Sequence, residues 1–223
     1  MITIVCAFFE GNENVPNFSR GIYTTAWVDK LYRGCDRWLD DDFRFVCMSS
    51  HTTERDYDEP VEVIPFEDDR HDWLNLMEFY RPDLDFGQYI AIGLDTVITG
   101  PLKEIASYTG DYAAPHDPYF ADQWCTAVVC SHADFSPAIW EVWERNRSEE
   151  YKTVGKPSDL AWLRRYLPVE PDIIDQLYPG QVISYPVDVL KKGHKGAGVS
   201  IVYFHGRSKP NLVTEPWIKD NWV

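Results

Sequence analysis

The sequence predicts an α/β fold, a sheet covered by helices on both faces. Three observations carry the prediction. Strand-sized apolar runs alternate along the chain with stretches whose apolar residues recur at helical spacing. No Pro-, Gly- or Ser-rich stretch is long enough to mark a linker, so residues 1–223 read as one domain, a size that can bury a full core. The run Tyr89-Ile-Ala-Ile-Gly-Leu-Asp95 places one acid at the end of a buried strand, before β-branched residues lead on to Gly100-Pro101. In open α/β sheets ligands collect at the carboxyl ends of strands, so Asp95 marks an expected crevice. The alternative is an aspartate capping the next turn.

Taken in order, the chain opens with a strand over Ile2–Phe8 and a polar loop from Glu10 to Pro16. Ser19–Arg33 reads as a helix, with Ile22, Ala26, Trp27 and Leu31 near one face. Strands follow at Phe43–Met48 and Val61–Ile64, then a short helix at Leu74–Tyr80 and the central strand Gln88–Ile92. A short helix is expected from Pro101, a residue suited to a first helical position. Asp111–Ala114 and Thr126–Cys130 read as strands, and Pro137–Asn146 and Ser158–Tyr166 as helices. The late strands are Gln181–Tyr185 and Val199–Phe204, and the tail carries Trp217 and Trp222.

The net charge of −15 disfavours duplex nucleic acid and anionic membrane as partners, because phosphate affinity is built from basic clusters. An anionic small molecule would need a local exception. Two basic segments supply one, Lys191-Lys192-Gly193-His194-Lys195 and Arg207-Ser208-Lys209, on either side of one strand. No apolar run reaches membrane-spanning length, and Ile2–Phe9 lacks the basic flank of a signal peptide. The five cysteines include no CxxC pair, and Cys6, Cys47 and Cys130 sit in apolar runs, which predicts reduced, buried thiols in a cytoplasmic protein. No GxxxxGK[ST], GxGxxG, GxSxG or HExxH pattern is present, so P-loop, Rossmann, serine-hydrolase and zinc-protease readings lack support.

The segment Val199–Lys209 sends Tyr203 and His205 to one strand face, with Gly206, Arg207 and Lys209 following at once. Beside Asp95 this strand end would gather a carboxylate, an imidazole and two cations. Such a set suits a divalent metal bridging to a diphosphate, with Asp95 and His205 as ligands and Lys209 as a point charge. The alternative is a solvated basic turn. Asp83-Leu84-Asp85 precedes the central strand and therefore reads as a turn, while Asp40-Asp41-Asp42 and Glu67-Asp68-Asp69 read as solvated loop acids. His51, His132 and His194 receive no assignment. The aromatic loop with His116, Asp117, Tyr119, Phe120 and Trp124 is a candidate wall for a sugar or acceptor, or simply core.

Tyr89–Leu102, His205-Gly-Arg-Ser-Lys-Pro210 and Glu215-Pro-Trp-Ile-Lys-Asp-Asn-Trp222 resemble small bacterial and phage glycosyltransferases of the GT-A fold, distant relatives of glycogenin-type enzymes. The order of landmarks is similar too, from Phe43–Met48 through Asp72–Pro82, Trp124–Cys130 and Ser158-Asp159 to Tyr178–Tyr185. The resemblance spans nearly the whole chain and implies a mixed sheet flanked by helices. It also implies transfer of a sugar from a nucleotide-diphosphate donor, UDP-sugar first, to a hydroxyl of a glycan, protein or small molecule. In that reading Mn²⁺ or Mg²⁺ is held by Asp95 and His205. Thr96, Tyr203, Gly206, Arg207 and Lys209 serve the donor, and Asp159 is the catalytic carboxylate. The alternative is that Asp159, after Pro157 and Ser158, is an ordinary helix cap, with Asp117 or Asp122 then taking the role. Location would be the cytoplasm, or the host cytoplasm for a viral protein.

The chain also departs from that family. The first carboxylate of its Asp-x-Asp motif falls on Gly93, its Lys after the Trp on Leu76, and Gly-Asp-Gln on Ser158-Asp159-Leu160. Glycogenin's metal-binding His falls nearer Tyr203 than His205. A catalytically degenerate domain that binds a sugar nucleotide or a protein partner is therefore the alternative reading, and a structural protein using its aromatic surface is a third. Gly193, Gly196 and Gly198 would make the Lys191–Lys195 loop pliable enough for a lid.

Overall fold

The computed structural model describes residues 1–147, 151–153 and 155–223. Its strands are β1 (Ile2–Ala7), β2 (Phe43–Met48), β3 (Glu62–Ile64), β4 (Gln88–Ile92), β5 (Thr96–Ile98), β6 (Tyr112–Ala114), β7 (Val128–His132), the hairpin β8 (Lys152–Thr153) and β9 (Lys156–Pro157), then β10 (Asp172–Ile173), β11 (Val182–Ser184) and β12 (Ile201–Tyr203). Seven of them form one mixed sheet in the order β10-β6-β7-β4-β1-β2-β3. β1 runs parallel to β2 and β4, and β7 is antiparallel to both β4 and β6. A second sheet, β11-β12-β5, pairs β12 with β5 antiparallel, Tyr203 opposite Thr96.

Side-chain alternation explains why the central strands read as continuous apolar runs. Ile4 and Cys6 of β1, Phe45 and Cys47 of β2, and Ile90 and Ile92 of β4 point into one core. Val5, Val46, Met48, Tyr89 and Ala91, one residue out of phase, point into another. The first core is closed by Val28, Leu31 and Cys35 of helix α1 (Thr25–Trp38) and by Ile98, Val182, Ile201 and Tyr203 of the second sheet. The second is closed by Leu74 and Met77 of a 3₁₀ segment (Trp73–Tyr80), with Ile139 and Trp143 of α3 (Ser136–Asn146) and Trp162 and Leu163 of α4 (Asp159–Tyr166). The predicted two-sided α/β sheet is the one observed. All five cysteines are buried and free. Among the described residues no helix is long and apolar enough to cross a membrane.

Two boundaries moved for identifiable reasons. Helix α1 starts at Thr25, not Ser19, because Gly21 takes a φ of 63° that no helix contains. It continues to Trp38 through Gly34, where an added Cβ would lie 3.1 Å from Ile98 Cβ, so this glycine lets the helix approach the second sheet closely. The short helix expected from Pro101 is α2 (Lys103–Ala106). The expected run through Asp95 into Thr96–Ile98 divides between the two sheets, with Gly93–Asp95 as the crossing. Elements not foreseen are the β8–β9 hairpin, β10, helices α5 (Ile174–Leu177) and α6 (Pro216–Lys219), and a π-helical segment over Tyr185–Lys191.

Strand order locates the crevice. From β1 the chain moves outward to β2 and β3, then returns to place β4 on β1's other side. The carboxyl ends of β1 and β4 therefore flank a topological switch point, where the connecting segments leave in opposite directions.

Candidate functional site

A cavity of about 130 Å³ opens at that switch point. Phe9 and Gly11 come from beyond β1, Gly93 and Asp95 from beyond β4, and Thr126 and Asp159 from the other wall. The antiparallel β4–β7 pair brings Thr126 close, through the Gly93 amide donating to Ala127 O at 3.3 Å. The β5–β12 pair does the same for the basic segment: the Phe204 amide donates to Asp95 O at 2.9 Å, so the chain leaving β12 passes directly over Asp95.

An ion pair behind the cavity wall follows from this register: Asp95 and Tyr23 line the cavity, and Lys209, not itself a lining residue, packs on them. Lys209 Nζ lies 2.5 Å from Asp95 Oδ2, with the lysine side chain 7% exposed and the aspartate 18%. Tyr23 completes a triangle, donating to Asp95 Oδ2 at 3.1 Å while its hydroxyl oxygen accepts from Lys209 Nζ at 3.0 Å. Burial, and after it the charge of Asp95, pushes the Tyr23 phenol well above its ordinary range, so it remains a donor. Tyr23 was not foreseen. It lies in the stretch Ser19–Arg33 that reads as helix interior.

Asp159 occupies a different environment. It is 5% exposed and opens α4. Burial raises its carboxyl to about 6, and hydrogen bonds from Thr126, from the Leu160 backbone and from Ser158 offset part of that rise. The N-terminal position foreseen as an ordinary cap is real, yet the side chain also faces the cavity. Asp122 is exposed in the loop before β7 and does not line the cavity.

His205 lies beside the ion pair but turns elsewhere. Its Nε2 is within hydrogen-bond distance of Ser184 Oγ, at 2.8 Å, and that hydroxyl also accepts the Val187 amide at 3.3 Å. Burial lowers its pKa, with Lys209 and Lys191 adding to the effect against Asp95 and Asp117, which favours the neutral ring. Tyr203 is 4% exposed, and burial drives its phenol far up. Thr96, opposite it, is also buried, whereas Gly206 (φ 64°) and Arg207 are exposed.

This donor set does not fit a divalent ion held by Asp95 and His205. It offers one carboxylate, already balanced by an ammonium and a phenol, and an imidazole nitrogen occupied by a serine hydroxyl. Position 93 supplies no second carboxylate, although a Cβ there would meet nothing nearer than Asp95 Oδ1 at 3.4 Å. The expected aromatic wall is divided. Tyr119 is exposed and edge-on to His205 at 5.3 Å, with Lys191 over its ring, while Trp124 packs on Tyr112 and Asp117 pairs with Arg164 at 2.6 Å. In the Lys191–Lys195 loop, Lys192 pairs with Asp188 at 2.8 Å, and an added Cβ at Gly196 would strike the Trp217 ring at 2.6 Å. Asp83 pairs with Arg81 and Asp85 accepts the Gly87 amide, at the amino end of β4 as expected.

A mixed sheet with its crevice at this switch point is the GT-A architecture of nucleotide-diphospho-sugar transferases. Solved structures agree. The chain superposes on the glycosyltransferase GlyE of Streptococcus pneumoniae TIGR4 with a TM-score of 0.69 at 10% identity, over 100% of this chain and 62% of GlyE. It superposes on the galactosyltransferase LgtC, solved with donor and acceptor sugar analogues, with a TM-score of 0.58 at 11% identity, over 99% and 95% of the two chains. A glycosyltransferase involved in glycosylation of the major capsid of PBCV-1 gives 0.55 at 13% identity, over 99% and 98%. The chain thus spans about three fifths of GlyE's length. No family model matches the sequence, and no curated protein matches it significantly. At these identities the likeness establishes the fold.

Proposed function

We propose that the crevice binds a nucleoside diphospho-sugar, a UDP-sugar first, and that its sugar passes to an acceptor hydroxyl. The observation that carries this reading is the buried Lys209 ammonium, fixed by Asp95 and Tyr23 at the carboxyl ends of β4 and β1. Balanced by Asp95 at rest, this ammonium is a preorganised charged N–H donor for the negative charge that develops on a departing diphosphate. Exposed Arg207, carried on the turn at Gly206, adds a second cation.

On the opposite wall Asp159, with its carboxyl near 6, is charged at neutral pH and basic enough to take a proton. In the transfer the acceptor oxygen bonds to the anomeric carbon, and the bond from that carbon to the diphosphate oxygen breaks. The electron pair leaves with the nucleotide, and the hydroxyl proton passes to Asp159. Charge neutralisation rests on Lys209 and Arg207. A binding-only domain is the second reading, favoured by the apolar Leu76 and the bare Gly93 in the cavity wall.

The test is calorimetric titration of UDP and GDP with and without Mn²⁺, followed by donor turnover. The expected result is UDP binding that Mn²⁺ leaves unchanged, together with sugar release or transfer. Binding without turnover would select the second reading. No affinity for either nucleotide would end both, and binding that requires Mn²⁺ would overturn the lysine-based assignment.

A further inference from the structure

We propose that His51, Asp69 and His71 form a site for a divalent transition-metal ion of the zinc class, separate from the donor crevice. His51 follows β2, while Asp69 and His71 lie in the loop between β3 and the 3₁₀ segment, so the fold brings together residues that the sequence keeps apart. None of the three lines the crevice.

One ligand atom from each lies within 4.8 Å of the others. His51 Nε2 is 3.1 Å from Asp69 Oδ2, and His71 Nδ1 is 3.7 Å from Asp69 Oδ1. Ligand bonds of about 2.0–2.2 Å place neighbouring donor atoms roughly 3.0–3.5 Å apart around an ion. The first distance is such an edge; the second runs to the other carboxylate oxygen and is slightly longer than one. The imidazole rings lie 4.9 Å apart at 32°, both partly open to solvent, which leaves an ion a way in. Two imidazoles and one carboxylate select zinc and its neighbours over magnesium or calcium.

The surrounding shell holds the three in place. Asp69 Oδ1 accepts from Asn75 Nδ2 at 2.8 Å and from the His71 amide at 3.1 Å. Its Oδ2 is shielded from solvent and, apart from His51 Nε2 at 3.1 Å, has no polar partner among the described residues, a state that a cation between the two would relieve. Asp69 therefore departs from the solvated role expected for the Glu67–Asp69 acids. Glu78, itself buried, accepts the Glu67 and Asp68 amides at 2.7 Å each and fixes the loop from beneath. His71 has a φ of 53°, the left-handed region, unlike any other non-glycine residue described.

An ion here would fasten the crevice rim. The Asn12 amide donates to His71 O at 2.8 Å and its side chain to Arg70 O at 2.7 Å, joining the metal loop to the segment that puts Gly11 and Val15 in the crevice wall. Zn²⁺ would then tie the end of β2 to the loop after β1.

The experiment titrates the metal-free full chain with ZnCl₂ by calorimetry and with Co²⁺ by visible absorption. The variants are His51→Ala, His71→Ala, Asp69→Asn and Asp95→Asn. The expected result is one equivalent of Zn²⁺ and a Co²⁺ d–d band, both kept in Asp95→Asn. Each histidine variant should weaken Zn²⁺ by roughly a hundredfold or more, since even outer-shell partners commonly cost 10–100-fold. If His71→Ala does not fold, His51→Ala and Asp69→Asn decide by the same criterion. Absence of Zn²⁺ binding at micromolar concentration, or unchanged affinity in the histidine variants, would overturn the proposal. Binding lost only in Asp95→Asn would overturn it too and return the metal to the donor crevice. Failure here leaves the nucleotide titration untouched, because that reading uses no ion.

Discussion

Asp95 and Asp159 line the same crevice and are both carboxylates, yet the fold treats them in opposite ways. Asp95 sits where one sheet hands the chain to the other, and the antiparallel β5–β12 pair delivers Lys209 onto it at 2.5 Å. Asp159 sits at the start of α4, deeper, with hydroxyl and amide donors but no cation among the causes acting on it, and its carboxyl rises to about 6. When environments separate two like groups in this manner, the separation assigns their roles. In the proposed transfer the paired acid holds a positive charge in place, and the solitary one takes the proton.

Breaking the paired side should have the largest effect. Lys209→Met removes the fixed cation and strands Asp95 at the cavity mouth. The proposed transfer should fall by about 10²–10³ in kcat/KM, the scale of losing one preorganised electrostatic donor. Stability should fall by roughly 3 kcal/mol or more, because one partner of a mostly buried pair is left alone. Adding Asp95→Asn should restore much of the stability and none of the activity. Thermal melts and steady-state rates on the single and double variants check this, and a rate unaffected by Lys209→Met would refute the assigned role.

Changing the solitary side should divide activity from stability. Asp159→Asn is expected to cost about 10²-fold in rate, as loss of a general base does. The folded carboxyl holds its proton more tightly than the ordinary value of 3.8. Between pH 4 and 6 the native chain therefore binds more protons than the unfolded chain, and stability falls as pH rises across that window. Above pH 6 the wild type carries a penalty of on the order of 1–3 kcal/mol that the asparagine variant lacks. Urea melts from pH 4 to 8 should show a slope in the wild type that flattens in the variant, and the wild-type rate should rise with pH up to about 6. Parallel stability profiles would rule out the raised carboxyl.

The smallest effect is expected from Tyr23→Phe, which deletes the third corner of the Asp95 triangle and leaves the ion pair. One hydrogen bond to a charged group contributes about 1.5–3 kcal/mol at most, and solvent entering the mouth should reduce that to a few-fold change in nucleotide affinity. An effect as large as that of Lys209→Met would mean that Tyr23, rather than the lysine, organises the mouth.

Much of this is legible in the sequence. Asp95 stood out because an acid at the end of an apolar strand is costly without a partner, and Lys209 because an acidic chain offers few basic segments. Their meeting was conditional on two strand ends lying side by side, which local periodicity does not encode. The metal expected at Asp95 and His205 met a different obstacle. Ser184, 21 residues before His205, takes the imidazole nitrogen, and no spacing rule foretells that bond. Tyr23 escaped notice because Gly21 ends a pattern that otherwise reads as helix.

The sequence by itself determined the two-sided α/β sheet, the carboxyl-end crevice and the identity of its charged residues. Those follow from apolar periodicity and from the cost of burying charge, both local properties of the chain. Tertiary structure alone decided that Asp95 is neutralised by Lys209, that Asp159 has no cation beside it among the described residues, and that His51, Asp69 and His71 converge. Each depends on which distant segments pack together, and electrostatic roles are set by neighbours in space rather than in sequence.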